Sequence, residues 1–149
     1  MAENPMSEQE HRQIRRNVKL FARLNVLVYR LSGGRLMNTF SGCEICLVKM
    51  TGAKSGKQRW TPVMYVPYKD GVIIVASLGG APKHPTWYYN LVAHPEIEVL
   101  VKSQRMKLTA RQADSVEKAE VWPTCVEHYP PYADYQARTD RDIPVFICE

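Results

Sequence analysis

Four short stretches of this chain carry residue types that do chemistry. The first is Thr51-Gly52-Ala53-Lys54-Ser55-Gly56-Lys57-Gln58-Arg59, a turn that combines glycines and a serine with cations. Main-chain N–H groups in such a turn can face an anion, and the cations add fixed positive charge. The G-x-x-x-x-G-K-[ST] spacing of a phosphate loop is absent and no helical pattern follows. The stretch reads equally as a solvated hairpin tip. The second, Ala76-Ser77-Leu78-Gly79-Gly80-Ala81-Pro82, closes an apolar run; its glycines either let a ligand approach the main chain or make a flexible loop. The third, Pro85-Thr86-Trp87-Tyr88-Tyr89-Asn90, offers rings that wall a flat ligand or pack on a sheet. The fourth sets Tyr129, Tyr132 and Tyr135 among Pro130 and Pro131. Such phenols stack on a substrate and donate a proton at a pocket mouth, or they anchor a surface loop.

Other chemistries find little support. His11, His84, His94 and His128 have neither metal-ligand spacing nor a nucleophile motif beside them, and read as structural or exposed. His128 is the best placed of them to line a pocket. Cys43 and Cys46 have C-x-x-C spacing, but zinc needs two further ligands. The pair runs into Leu47-Val48-Lys49-Met50, which reads as a strand, whereas a redox pair opens a helix. With Cys125 and Cys148 they read as thiols of a reducing cytoplasm. No metal is expected, and no paired carboxylates suited to hydrolysis are visible. The net charge of +5 calls for an anionic partner: nucleic acid, an acidic membrane surface or a small anionic ligand. The cations gather in one hairpin and one helix without interleaved aromatics, which argues against nucleic acid.

The elements that must position these stretches follow from periodicity. A chain of 149 residues suits one domain and a core that needs no disulfides. Residues 1–10 are polar and acidic, unlike a secretory signal, and read as a disordered tail, with residues 11–149 as the domain. Over residues 11–31, Ile14, Val18, Phe21, Leu24 and Val28 recur at helical spacing beside a stripe of Arg12, Arg16, Lys19 and Arg23. This basic amphipathic helix ends at Gly33-Gly34. It either packs on the domain with a solvated face or touches anionic lipid through its apolar end, Val26 to Leu31.

Strands are expected over Ile45–Met50, Trp60–Tyr68, Val72–Ser77, Ile97–Val101, Met106–Arg111 and Val145–Cys148, with Pro62 at an edge or bulge. Asp70-Gly71 marks a hairpin. A short helix runs from Pro85 to Ala93, and Asp114 with Glu117 opens another to about Glu127. Tyr129 to Tyr135 reads as a loop. Hairpin connections imply an antiparallel sheet of five or six strands, closed as a small barrel with flanking helices (an α+β fold), without repeats or a second domain.

Taken together, Thr51-Gly52-x-Lys54-Ser55-Gly56-x-x-Arg59, Thr61-Pro62, Val75-Ala76-Ser77-x-Gly79-Gly80-Ala81 and Pro85-x-Trp87-Tyr88-x-Asn90-Leu91 resemble the signature of the deazaflavin-dependent nitroreductase family. Trp122-Pro123, Tyr129-Pro130, Tyr132, Asp134-Tyr135-Gln136 and Ile143-Pro144 extend the resemblance. It implies a split β-barrel of the FMN-binding type and coenzyme F420, whose flat deazaflavin suits aromatic walls and whose anionic tail suits the cationic hairpin. It implies transfer of a hydride to a quinone or, adventitiously, a nitroaromatic, in a monomer or homodimer of the cytoplasm, with the helix near the inner face of the membrane.

By position, Ala53, Lys54, Ser55, Arg59, Trp60, Thr61, Pro62, Val63 and Met64 would line the cofactor. So would Val75, Ala76, Ser77, Leu78, Thr86, Trp87, Tyr88, Tyr89 and Asn90. Tyr129, Tyr132 and Tyr135 would face the substrate, with Ser77 near the reacting end. The family often has Arg where this chain has Ala53, and Lys where it has Leu78. The rival expectations are a barrel that binds FMN and a non-catalytic carrier or sensor of F420.

Overall fold

The structure, a computed structural model, describes residues 4–149. Helix α1 (Glu8–Leu31) is followed by strands β1 (Thr39–Phe40), β2 (Cys43–Thr51), β3 (Gln58–Met64), β4 (Val66–Tyr68) and β5 (Gly71–Val75). A 3-10 turn (Leu78–Gly80) leads to α2 (Thr86–Ala93), β6 (Glu96–Val101) and β7 (Gln104–Gln112). Helices α3 (Ser115–His128) and α4 (Pro131–Ala137) precede β8 (Val145–Cys148). Every pairing is antiparallel, in the order β1-β2-β6-β7-β8-β5-β4, with β3 added on β2. This is a rolled, split barrel with helices on its flanks.

The strands read as continuous apolar runs because both faces of the sheet are covered. On β2, Cys46, Val48 and Met50 point into the barrel, where they meet Val72, Ile74, Val99 and Phe146. Ile45 and Leu47 alternate to the other face and pack with Tyr29 of α1. On β5, Val72 and Ile74 face the barrel, while Ile73 and Val75 meet Val121 and Cys125 of α3 and Tyr132 of α4. Burying each such aliphatic side chain contributes about 1.5–3 kcal/mol before the entropy cost.

Several expectations shift. The tail expected over residues 1–10 is shorter: Ser7 and Glu10 form a capping box that starts α1 at Glu8, and Met6 is buried. Residues 1–3 lie outside the described residues. The strand expected over Trp60–Tyr68 breaks at Tyr65 into β3, which pairs with β2, and β4, which pairs with β5. Pro62 is tolerated because β3 hydrogen-bonds only to β2. At the β4–β5 turn, Tyr68 pairs with Gly71 and the left-handed residue is Lys69, φ +52°. Gly71 is instead needed for packing, since a β-carbon there would sit 1.9 Å from the Cys148 carbonyl oxygen. The loop expected over Tyr129–Tyr135 is mostly helix α4, which Pro130 and Pro131 start.

Candidate active site

The cationic turn is the tip of the β2–β3 hairpin. The Gly52 N–H donates to the Lys57 carbonyl at 2.8 Å and the Gly56 N–H to the Gly52 carbonyl at 2.9 Å. Gly56 has φ +66°, and a β-carbon on Gly52 would sit 2.5 Å from Ser55 Oγ. The turn therefore needs both glycines, and it leaves Ala53 through Arg59 exposed. The Ala53 N–H donates to Asn90 Oδ1 at 2.9 Å, which joins the tip to α2 across 37 residues of sequence.

The loop after β5 is strained. Leu78, Gly79 and Gly80 take φ of +43°, +63° and +76° in succession. A left-handed leucine costs about 1–3 kcal/mol, which the surroundings must offset. Gly80 allows close packing on α4: a β-carbon there would meet the Tyr135 carbonyl oxygen at 2.5 Å. Val75, Ala76 and Ser77 are buried and Leu78 is half-buried; the Ala76 N–H donates to the Pro144 carbonyl at 2.9 Å.

On α2, Trp87 and Tyr88 pack against the barrel core and Tyr89 stays exposed. The His84 ring stacks on Tyr88 at 4.1 Å, and Tyr88 Oη donates to Gln112 Oε1 at 3.3 Å. Trp60, Val63 and Met64 of β3 are half-buried, Val63 against the barrel core with Trp87 and Tyr88, and Trp60 and Met64 on the other face beneath α1.

The tyrosines divide. The Tyr129 and Tyr135 hydroxyls share a hydrogen bond at 2.9 Å. Burial raises the Tyr129 phenol well above its ordinary range, and the bond to Tyr135 adds to the shift. Tyr132 departs from its expected role: it is 3% exposed, wedged between Trp122 and Tyr129, and serves the core. Tyr129 caps α3 while Tyr132 and Tyr135 lie on α4, and the Tyr129 and Tyr132 rings are both in the core.

Helix α1 borders part of this assembly: the strained loop, the Tyr129 corner and the Trp60 end of β3. Ile14 sits over Gly79, 3.8 Å from where its β-carbon would be. Phe21 meets Phe40 at 5.5 Å, and Phe40 meets Tyr129 at 6.4 Å. Val26 packs on Trp60 and Met64, and the Arg30 guanidinium lies over the Trp60 ring at 5.6 Å. The candidate site is thus a seam that α1 borders at the tyrosine corner and leaves exposed at the hairpin tip. Surface grooves of about 480 and 450 Å3 lie elsewhere, one beside Leu31 and Lys102, the other along Lys49 and Lys107. Of the four chemistry-bearing stretches they touch only Gln58, at the base of the hairpin tip.

The cysteines take no part. Cys43 and Cys46, three apart on a strand, face opposite sides of the sheet, in different core clusters. Burial pushes the Cys125 thiol up to about 11 and Cys148 to about 12, so neither is a ready thiolate. Among the described residues, no group of three or more His, Cys, Asp or Glu side chains is placed to hold a metal ion.

Two residues of the site escaped the sequence reading. His84 was grouped with the structural histidines, and Arg141 drew no comment. Arg141 sits between α4 and β8, yet its guanidinium donates to the carbonyls of Ala81, Ala76 and Ser77 at 2.7, 3.2 and 2.6 Å. Neither type nor spacing signals this; only the tertiary fold brings them together.

A family model described as F420H(2)-dependent quinone reductase matches residues 21–149. The chain belongs to the F420H(2)-dependent quinone reductase family. An F420H(2)-dependent quinone reductase of Mycobacterium tuberculosis strain H37Rv is 37% identical over 129 residues, which cover 84% of this chain and 87% of that protein. A solved F420-H2 dependent reductase, FDR-A, is 48% identical, with a TM-score of 0.65, over 70% of this chain and 93% of its own. Another solved chain, described as a domain-swapped dimer, is 41% identical with a TM-score of 0.67, over 85% of this chain and 97% of its own. These findings bear out the split-barrel fold, the oxidoreductase class and coenzyme F420 as cofactor. For membership of this family the donor set is suitable. Three exposed cations, Lys54, Lys57 and Arg59, flank a glycine turn that suits an anionic tail, and Ala76 at the end of β5 shares the core cluster on which Trp87 and Tyr88 of α2 pack.

Proposed function

We propose that this protein holds reduced F420 between the β2–β3 hairpin tip, the Ala76–Leu78 main chain and α2, and reduces a quinone beside Tyr135. The observation that carries the reading is the Ala53–Asn90 hydrogen bond. It brings the cationic turn and the aromatic helix, far apart in sequence, to one seam. Lys54 and Arg59 bind the anionic tail, and Trp87 with the β5 end flanks the flat ring system. The cofactor supplies the hydride. Reduction of a quinone to its hydroquinone takes that hydride and one proton. Tyr135 delivers the proton, and its bond to the Tyr129 hydroxyl fixes the direction of the donor. Burial of the Tyr129 corner, which α1 borders through Phe21 and Phe40, limits water at the transfer. Nitroaromatics of similar shape are adventitious acceptors.

The outer face of α1 supports a second element of the reading, a peripheral contact with anionic lipid. Leu20, Leu24, Leu27 and Leu31 form an exposed stripe at spacings of four, three and four, the end residues being 72% and 79% exposed. Arg12, Arg16, Lys19, Arg23 and Arg30 are exposed beside it. An apolar stripe flanked by cations complements an anionic bilayer surface. None of the described helices is long and apolar enough to cross a membrane. The contact would deliver a lipid quinone to the seam that α1 borders.

The experiment is fluorescence titration with F420, with FMN in parallel, followed by oxidation of reduced F420 on adding menadione. Binding of F420 with turnover is expected. No F420 binding at micromolar protein removes the reading; a yellow, FMN-loaded protein favours the flavin alternative; binding without turnover leaves a carrier. Flotation with vesicles containing anionic phospholipid tests the helix, and changing Leu20, Leu24, Leu27 and Leu31 to Ser should abolish co-flotation.

A further inference from the structure

Arg141 lies in none of the chemistry-bearing stretches, yet it contacts both walls of the seam. Nε donates to the Ala81 carbonyl, Nη1 to Ala76 and Nη2 to Ser77, so one planar fork takes up carbonyls from both ends of the strained loop. Nη1 also lies 3.1 Å from His84 Nδ1. A guanidinium only donates, so that nitrogen accepts, and the proton of the neutral ring is assigned to Nε2. The same imidazole stacks on Tyr88 of α2. Arg141 is fixed in turn: its carbonyl accepts from Gln136 Nε2 at 2.9 Å, and Gln136 Oε1 accepts from the Ile143 N–H at 3.0 Å and from Lys118 Nζ at 2.9 Å. Gln136 is the neighbour of Tyr135, whose carbonyl Gly80 packs against.

We propose that Arg141 is a positioning residue for the reaction, the single side chain that keeps the Ser77 loop, His84 on the approach to α2 and Tyr135 on α4 in register. A half-buried cation is an expensive staple, since its desolvation is offset only by neutral acceptors. An apolar side chain would fill the space at lower cost. What the guanidinium adds is fixed multidentate geometry at a loop with three successive left-handed residues, and lysine keeps the charge without the fork. The inference rests on the reading that Ser77 and Tyr135 border the acceptor.

The test uses Arg141→Lys and Arg141→Gly in the full chain. In cofactor-free protein, amide exchange over residues 76–84 should quicken at least about tenfold in Arg141→Lys as the loop is released. In the F420-saturated enzyme, kcat with menadione should fall at least about tenfold while the F420 Kd moves less than about threefold. Guanidinium ion added to Arg141→Gly should recover part of both kcat and slow exchange. The proposal is overturned if exchange and kcat in Arg141→Lys stay near wild type. It is equally overturned if kcat, cofactor affinity and Tm fall together and guanidinium recovers none of them, which would mark a general fold staple. If the wild-type protein itself fails to turn over quinone, the functional reading falls, while the exchange measurement still decides what Arg141 does to the loop.

Discussion

At the hairpin tip, Ala53 through Arg59 are all exposed, and their side chains act directly on whatever approaches. At the tyrosine corner, Tyr129 and Tyr132 are buried, Tyr135 is half-buried, and α1, α4 and the strained loop close over them. One end of the seam is a set of free charges on a short hairpin; the other is a packed polar network. On the proposed reading the tip charges set cofactor affinity and contribute little to stability. The hydroxyl pair inside the packed corner would set the chemistry, with its neighbours setting its geometry.

The largest effect that separates the two ends is expected at the tip. Changing Lys54 and Arg59 to Ala should weaken F420 binding by about 1–3 kcal/mol each, since each removes a charge-assisted contact. Because both are exposed, Tm should hold, and kcat at saturating cofactor should remain near wild type. Titration by fluorescence with a parallel melt checks this. Unchanged affinity in the double variant would show that the tail lies elsewhere and would dissolve the contrast.

Tyr135→Phe should do the reverse. Loss of the proton donor should lower kcat by roughly 10–100-fold with little change in F420 Kd. The Tyr129 hydroxyl would lose its partner, yet remain. Steady-state kinetics with menadione decides. An undiminished kcat assigns the proton to solvent or to Ser77, and the corner then serves packing alone.

The same contrast explains what could be read from sequence. The tip was legible because its features lie in consecutive residues: Gly52 and Gly56 at set positions, Lys54 between them, and Lys57 and Arg59 just after. The capping box of Asp114 and Glu117, the strand Val145–Cys148 and the apolar runs of β2 and β5 were legible for the same local reason. The corner was not. Pro130-Pro131 reads as a loop breaker, yet proline is also favoured in a helix's first turn, and only packing on α3 decides for α4. Arg141 and His84 meet across 57 residues, a pairing no local pattern encodes. For α1, the periodicity was plain, but which face is inner was not: the Leu20–Leu31 stripe is exposed, while His11, Asn25 and Tyr29 are the buried residues.

The smallest expected effect concerns His11 of α1 and His84, the imidazoles at the closed end. Burial lowers both below the 6.5 of a free histidine. Cations add to this: Arg15, Lys83 and Arg141 at His11, and Arg141 at His84. Near pH 6 the folded protein therefore binds fewer protons than the unfolded chain. Stability from these groups is complete above about pH 6.5 and is lost as pH falls through their folded-state values. His11 Nε2 has no hydrogen-bond partner inside the protein, so only the attraction of Glu8 opposes the cost of protonating it. Melting curves between pH 7.5 and 5.5, above the titration range of ordinary carboxylates, should show Tm falling by roughly a few degrees. His11→Gln with His84→Asn should flatten that slope while leaving the F420 Kd, set at the far tip, near wild type at pH 7.5. A slope that survives both substitutions would place the pH sensitivity outside the closed end, and the division between a charged tip and a buried corner would lose its thermodynamic support.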